Sequence, residues 1–157
     1  MAIRNIIKEG DPFLNKVCRE VDKFDDKLAV LLDDMKETMK EADGVGLAAI
    51  QVGVLRRVVV IDVGDGPIEL INPVFLEQSG DQECVEGCLS SPGQYGITHR
   101  PMHVKVRAQN RKGEFFELEG EELLATACCH EIDHLNGILF KSHVVRMLSK
   151  EELEKMK

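Results

Sequence analysis

Two histidines one helical turn apart, in His130-Glu131-Ile132-Asp133-His134, constrain this chain more than any other feature. Residues at i and i+4 share one helix face. Both imidazoles can therefore reach a single metal ion, with Glu131 beside them as a candidate base. A catalytic metal of this kind needs a third protein ligand and one position left open for water. Zinc peptidases with this motif take the third ligand from downstream. The chain follows that pattern through Leu135, Asn136 and Gly137, then puts Phe140 where the third histidine belongs. The metzincin reading fails there, and the thiol of Cys88, far upstream, becomes the group to weigh.

Hydrophobic periodicity lays out the elements around this motif. Asp26 to Ala42 carries Leu28, Leu31, Leu32, Met35, Met39 and Ala42 at helical spacing, with Asp25 or Asp26 as cap and Gly44 just past the end. Val58 to Ile61 and Leu70-Ile71 are short β-rich runs separated by the turn signal Gly64-Asp65-Gly66-Pro67. His103 to Arg107 alternates, as does the stretch Phe116 to Glu119, and Arg111-Lys112-Gly113 between them predicts a hairpin turn. A second long helix is expected over Glu121 to Leu135, with Gly137 at its C′ position. Ser149-Lys150-Glu151-Glu152 has the form of a capping box and opens a short terminal helix. Strands without regular β-α alternation predict an α+β fold: antiparallel strands packed around a central metal-binding helix, with N-terminal and C-terminal helices. At 157 residues the chain is expected to form one domain, 1–157.

Each chemical group has an ordinary alternative. Cysteine is often buried as a small hydrophobe, which suits Cys18, Cys84 and Cys128. It suits Cys88 poorly, because Gly87 frees the adjoining backbone and Glu86 and Ser90 are polar for a core run. A histidine pair flanking a glutamate in a helix rich in Leu, Ala and Cys needs partners, and a metal supplies them. His99, His103 and His143 are expected to be surface or structural residues.

Three motifs in order then carry a resemblance. Gly44-Val45-Gly46-Leu47-Ala48-Ala49-Ile50-Gln51, Glu86-Gly87-Cys88-Leu89-Ser90 and His130 to His134 match G-x-G-L-A-A-x-Q, E-G-C-L-S and H-E-x-D-H. The chain resembles the bacterial peptide deformylases across most of its length. That resemblance implies an enzyme removing the N-formyl group from the N-terminal methionine of newly synthesised polypeptides, releasing formate. It implies Cys88, His130 and His134 as metal ligands and Glu131 as the group that takes a water proton and passes it to the leaving amine. The Gln51 side-chain amide and the Leu89 backbone N–H would serve as oxyanion donors. Glu86 and Arg100, with Asp133 as third member, would brace the Cys88 loop. Val45 and Gly46 would contact substrate, with Val45 and Thr126 as candidates for the methionine pocket. The implied cofactor is one divalent metal ion, natively Fe2+, with Zn2+, Ni2+ or Co2+ tolerated; a thiolate with two imidazoles suits several of these.

Two positions depart from the family pattern. Cys129 stands where many members carry Gln, altering packing beside the helix or adding an oxidisable thiol, and Tyr95 stands where some carry Arg. Two other readings stay open. One is a metallopeptidase taking Glu151, Glu152 or Glu154 as third ligand, which leaves two motifs unexplained. The other is a non-catalytic metal-binding or ribosome-associated protein, which loss of Glu131 or Gln51 would favour; both are present.

Composition narrows the partners. Twenty basic against 28 acidic side chains leave a net charge of −8, which argues against nonspecific nucleic-acid binding. No secretory signal or membrane span is expected, and five cysteines without an export signal predict reduced thiols rather than a disulfide framework. A cytoplasmic monomer acting on nascent formylated polypeptides, with transient ribosome contact, is the expected setting.

Overall fold

The apolar run Val58–Ile61 forms strand β2, buried at all four positions. Side chains alternate across a strand, and here the alternation serves two helices. Val58 and Val60 pack with Leu28, Leu32 and Met35 of helix α1 (Asp26–Glu41), while Val59 and Ile61 pack with Ala125, Cys128 and Ile132 of helix α2 (Leu123–Leu135). With both faces covered, β2 has no reason to carry a polar residue. The computed structural model describes residues 2–156. In it β2 lies second in a five-stranded antiparallel sheet ordered β1-β2-β3-β6-β7, where β1 is Gly46–Ala48, β3 Ile68–Ser79, β6 His103–Gln109 and β7 Phe115–Glu121. A second antiparallel sheet, ordered β4-β5-β8, comprises β4 (Gln82–Cys88), β5 (Ser91–Arg100) and β8 (Arg146–Met147), and its β5 strand contacts α2. The α+β expectation, strands around a central helix, is the observed architecture.

Helix ends differ from expectation in instructive ways. The Asp25 carboxylate caps α1, accepting the Leu28 N–H at 3.1 Å. At the other end the left-handed residue is Asp43 (φ 56°), not a glycine. Asp43 N–H donates to Lys40 O (3.1 Å) and Gly44 N–H to Met39 O (2.9 Å), a Schellman closure. Gly44 is small for another reason: a Cβ there would lie 2.6 Å from Leu89 Cδ1. Helix α2 starts later than its pattern predicts, because Glu121 is the last residue of β7 and Glu122 (φ 53°) turns the chain without a side-chain cap. Its C-terminus agrees with the sequence. Gly137 (φ 76°) donates to His134 O and Ile138 N–H to Asp133 O, and a side chain at Gly137 would strike the Asn15 carbonyl.

The terminal helix α3 (Lys150–Lys155) has the predicted reciprocal cap between Ser149 and Glu152. Arg111-Lys112-Gly113 lies in the β6–β7 hairpin, with Gly113 N–H donating to Asn110 O at 2.9 Å. The β4–β5 hairpin was not expected. Gln82-Glu83-Cys84-Val85-Glu86-Gly87-Cys88 mixes charge with small residues and has little β-branched content, so it carries no strong strand signal. Cys88, expected in a loop, is the last residue of β4. Among the described residues no helix is long and apolar enough to cross a membrane.

Candidate metal centre

Three donors from two elements converge. His130 and His134 project from one face of α2, their ring centroids 5.0 Å apart. The β4–β5 ladder runs to Gly87↔Tyr95, then jumps to Cys88↔Ser91, so Cys88 ends its strand at the tight Leu89-Ser90 turn. Cys88 Sγ lies 3.3 Å from His134 Nε2. Ligand atoms of Cys88, His130 and His134 all fall within 4.8 Å of one another, the one such metal-competent group among the described residues. The glutamates of the peptidase reading are elsewhere: Glu152 pairs with Arg146 and caps exposed α3. Phe140, the residue that breaks the peptidase pattern, is buried and stacks on the His130 ring at 5.7 Å.

A buried network orients His130. Its Nδ1 lies 2.8 Å from Glu86 Oε1, so an Nδ1–H donating to that carboxylate leaves Nε2 free to bind metal. Glu86 also accepts from Arg100 Nε (2.7 Å), Arg100 Nη2 (3.0 Å) and Thr98 Oγ1. Arg100 Nη1 donates onward to Asp133 Oδ2 at 2.9 Å, and His143 Nε2 reaches the same oxygen at 3.2 Å. The expected Glu86–Arg100–Asp133 brace is therefore present, with Thr98 and His143 as members the sequence did not reveal. Burial raises the Glu86 pKa, but hydrogen bonds from His130 and Arg100 outweigh it and hold the carboxyl at about 2. Glu86 is an anion in the core, satisfied on both oxygens.

Electrostatics at the donors fit a cation. Burial disfavours charge on His130, yet Glu131, the Cys88 sulfur and Glu86 hold its pKa well above the ordinary histidine value. Burial, reinforced by His130, drops His134 to about 3, keeping its imidazole neutral. Among described side-chain atoms, Glu131 Oε1 and His134 Nδ1 are buried without partners; the orphaned oxygen, on the carboxylate beside the donors, points to a missing group. The donor set, one sulfur and two imidazoles, fits a divalent transition metal.

Glu131 is placed beside the donors. Its Oε2 lies 3.9 Å from His130 Nε2. Burial pushes its carboxyl up to about 7, against the lowering effect of His130. Gly46 makes room for it: a Cβ at 46 would lie 2.5 Å from Glu131 Oε2. Gln51, 1 % exposed, follows β1 in a 3-10 turn, Ala49–Val52. Its Oε1 accepts from Ala48 N–H (2.9 Å), and its Nε2 donates to Ser90 Oγ (3.0 Å) with Cys88 Sγ at 3.5 Å. The amide N–H is thus aimed at the donor cluster, and Ser90 emerges as the residue orienting it, a role the sequence did not mark. Leu89 lies in the turn directly after Cys88.

A cleft of about 610 Å³ opens over these groups, lined in part by Val45, Gly46, Leu89, Tyr95, Thr126 and Glu131. Val45 is exposed within it, whereas the Thr126 hydroxyl is occupied by Gln82 and Cys84. The Tyr95 ring covers Gly87, leaving no space for a Cβ there. Cys18, Cys84 and Cys128 are buried as expected. So is Cys129, whose thiol burial raises to about 11; it is a packing residue rather than an exposed oxidisable one.

A buried carboxylate beside one cysteine sulfur from β4 and two imidazoles from α2 defines a metal-dependent hydrolase. Comparisons with known proteins agree. Residues 3–150 match the family model described as polypeptide deformylase. Peptide deformylase of Acetivibrio thermocellus is 58 % identical over 99 % of this chain and 91 % of its own length, and that of Alkaliphilus metalliredigens is 60 % identical over 93 % and 99 %. The crystal structure of Thermotoga maritima peptide deformylase superposes with a TM-score of 0.90 at 43 % identity, covering 92 % of this chain and 99 % of that one. A Synechococcus elongatus peptide deformylase solved in complex with actinonin gives 0.87 at 38 % identity over 97 % and 82 %. The chain belongs to the polypeptide deformylase family. It is a metal-dependent hydrolase that removes the N-formyl group from the N-terminal methionine of newly synthesised polypeptides, releasing formate.

Proposed function

We propose that Cys88, His130 and His134 hold the metal, and that Glu131, Gln51 and Leu89 carry the chemistry of formamide hydrolysis. The observation that carries this reading is the meeting of three donor atoms within 4.8 Å beside a buried carboxylate with an unpartnered oxygen. A divalent ion bound there would supply Lewis acidity and lower the pKa of a water. Glu131 accepts a proton from the water that attacks the formyl carbon. Negative charge then develops on the formyl oxygen, where the Gln51 side-chain N–H and the Leu89 backbone N–H donate. As the C–N bond breaks, Glu131 returns its proton to the leaving amine, giving formate and a free N-terminus. Glu86 and Arg100 hold His130 in its metal-binding tautomer, and Val45 and Gly46 flank the substrate's methionine.

The native ion in this proposal is Fe2+, with Zn2+, Ni2+ or Co2+ as functional substitutes, because sulfur and imidazole donors accept all four. The whole chain, 1–157, acts as one catalytic domain: a cytoplasmic monomer meeting nascent chains through transient ribosome contact, without specific nucleic-acid binding.

Metal analysis of anaerobically purified protein, with a formyl-Met-Ala-Ser assay, tests the assignment. Cys88→Ser is expected to lose both metal and turnover, since a neutral hydroxyl replaces a thiolate, while Glu152→Gln keeps both. Retained metal in Cys88→Ser would remove Cys88 from the ligand set.

A further inference from the structure

Residues 2–9 form an arm without regular secondary structure that crosses the molecule and ends beside the oxyanion donors. Its start is tied to α1: Ala2 N–H donates to Asp34 Oδ1 (2.8 Å), Arg4 N–H to Thr38 Oγ1 (2.9 Å), and the Arg4 guanidinium pairs with Asp34. Its far end makes two backbone bonds to the segments proposed to bind the oxyanion. Ile7 N–H donates to Gln51 O at 2.7 Å and Glu9 N–H to Ser90 O at 2.8 Å. Ile6 and Lys8 line the cleft.

Glu9 closes this arrangement. Its Oε2 accepts from Ser91 Oγ (2.7 Å) and Lys141 Nζ (2.6 Å), and Lys141 also reaches Gln94 Oε1. Lys141 belongs to the 3-10 turn Phe140–His143, whose Phe140 stacks on His130. One carboxylate therefore links the arm, the turn that follows the metal cysteine, and the segment that follows the metal helix. We propose that Glu9 is a positioning residue for deformylation, clasping the arm onto residues 88–91 so that Gln51 Nε2 and the Leu89 N–H are held where the oxyanion forms. This inference rests on the assignment of those two groups as oxyanion donors.

The coupling has a defined route. Ser90 Oγ accepts from Gln51 Nε2 at 3.0 Å, so displacement of the Ser90-Ser91 backbone displaces the amide. Oxyanion donors act only at hydrogen-bond range of the developing charge, and a shift of about 1 Å can cost about a hundredfold in rate. The Glu9–Lys141 pair itself is part-exposed, with side chains 32 % and 29 % accessible, and pairs of that kind add little to global stability. Turnover should therefore suffer where stability does not.

The test is a mutant cycle on the metal-loaded enzyme, following kcat, KM, metal content and thermal melting with formyl-Met-Ala-Ser. Glu9→Ala should lower kcat by about tenfold, with KM within about twofold, full metal content and a nearly unchanged melting temperature. Glu9→Gln keeps an oxygen acceptor for Ser91 and Lys141 and should recover most of that loss. In a Gln51→Ala background, itself slowed by about a hundredfold or more, adding Glu9→Ala should cost markedly less than it does alone. An unchanged kcat in Glu9→Ala, or a loss that multiplies in full on Gln51→Ala, overturns the clasp while leaving the oxyanion assignment standing. A Gln51→Ala enzyme with undiminished kcat overturns the assignment, and the clasp with it.

Discussion

Glu86→Ala is the substitution whose consequences the structure specifies most closely. The carboxylate accepts four hydrogen bonds, from Arg100 Nε and Nη2, Thr98 Oγ1 and His130 Nδ1. Arg100 is 6 % exposed and would keep only its bond to Asp133. Removing one partner of a buried ion pair costs about 3–5 kcal/mol, because the remaining charge is left in the core. For a chain of this size, that lowers the melting temperature by roughly 10 °C or more. A second effect is separable. With no acceptor for Nδ1–H, His130 is released from its metal-binding orientation, and loss of such a partner typically weakens metal binding about 10- to 100-fold. Chemical denaturation of the metal-loaded protein reads the first effect, and competition with a chelator under native conditions reads the second. Glu86→Gln, which keeps one acceptor oxygen, should fall between parent and Glu86→Ala in both. Parent-like chelator resistance in a destabilised Glu86→Ala protein would refute the orienting role and leave Glu86 a purely structural anion.

Glu131→Gln should keep parent metal content while losing at least about 10²–10⁴-fold in kcat; loss of metal along with activity would make Glu131 a ligand instead. Gly46→Ala should retain fold and metal but lose about a hundredfold in turnover, because its Cβ would displace the Glu131 carboxylate from its buried position; undiminished kcat would show that this contact relaxes harmlessly. Acid stability should depend on Glu69. Burial raises its pKa, but hydrogen bonds from Arg111 and Lys36 bring it below the ordinary value of 4.5. A depressed folded-state pKa means that the unfolded chain binds the proton more readily. The stabilisation is then complete above about pH 4.5 and lost as pH falls through the folded value. Glu69→Gln should be about 1–2 kcal/mol less stable than the parent in urea at pH 7, with the gap closing as pH falls through the depressed folded value; a gap constant with pH would refute that accounting.

How much of this was legible beforehand depended on whether a feature was local. The Asp26–Glu41 helix, the Ser149 cap, the Gly137 helix stop and the His130–His134 pair all follow from spacing along one element, where physical contact and sequence distance coincide. The motifs supplied Cys88, Gln51 and Glu86 by resemblance. No periodicity joined them to α2, and the β4–β5 hairpin that carries two of them gave no strand signal.

The sequence by itself determined which chemistry is available: two imidazoles on one helix face, a thiol in a polar glycine-flanked run, and a glutamate between the histidines. Tertiary structure alone decided that these groups meet. The end of β4 puts Cys88 3.3 Å from His134, and Ser90 aims the Gln51 amide at the same point. It also decided that Glu9, with no periodic or motif signal of its own, lies across the turn after Cys88. The physical reason is that hydrogen bonds and metal ligation depend on distance in space. Between residues 37 to 132 positions apart, such as Gln51 and Cys88 or Glu9 and Lys141, only the packing of two sheets around α2 sets that distance.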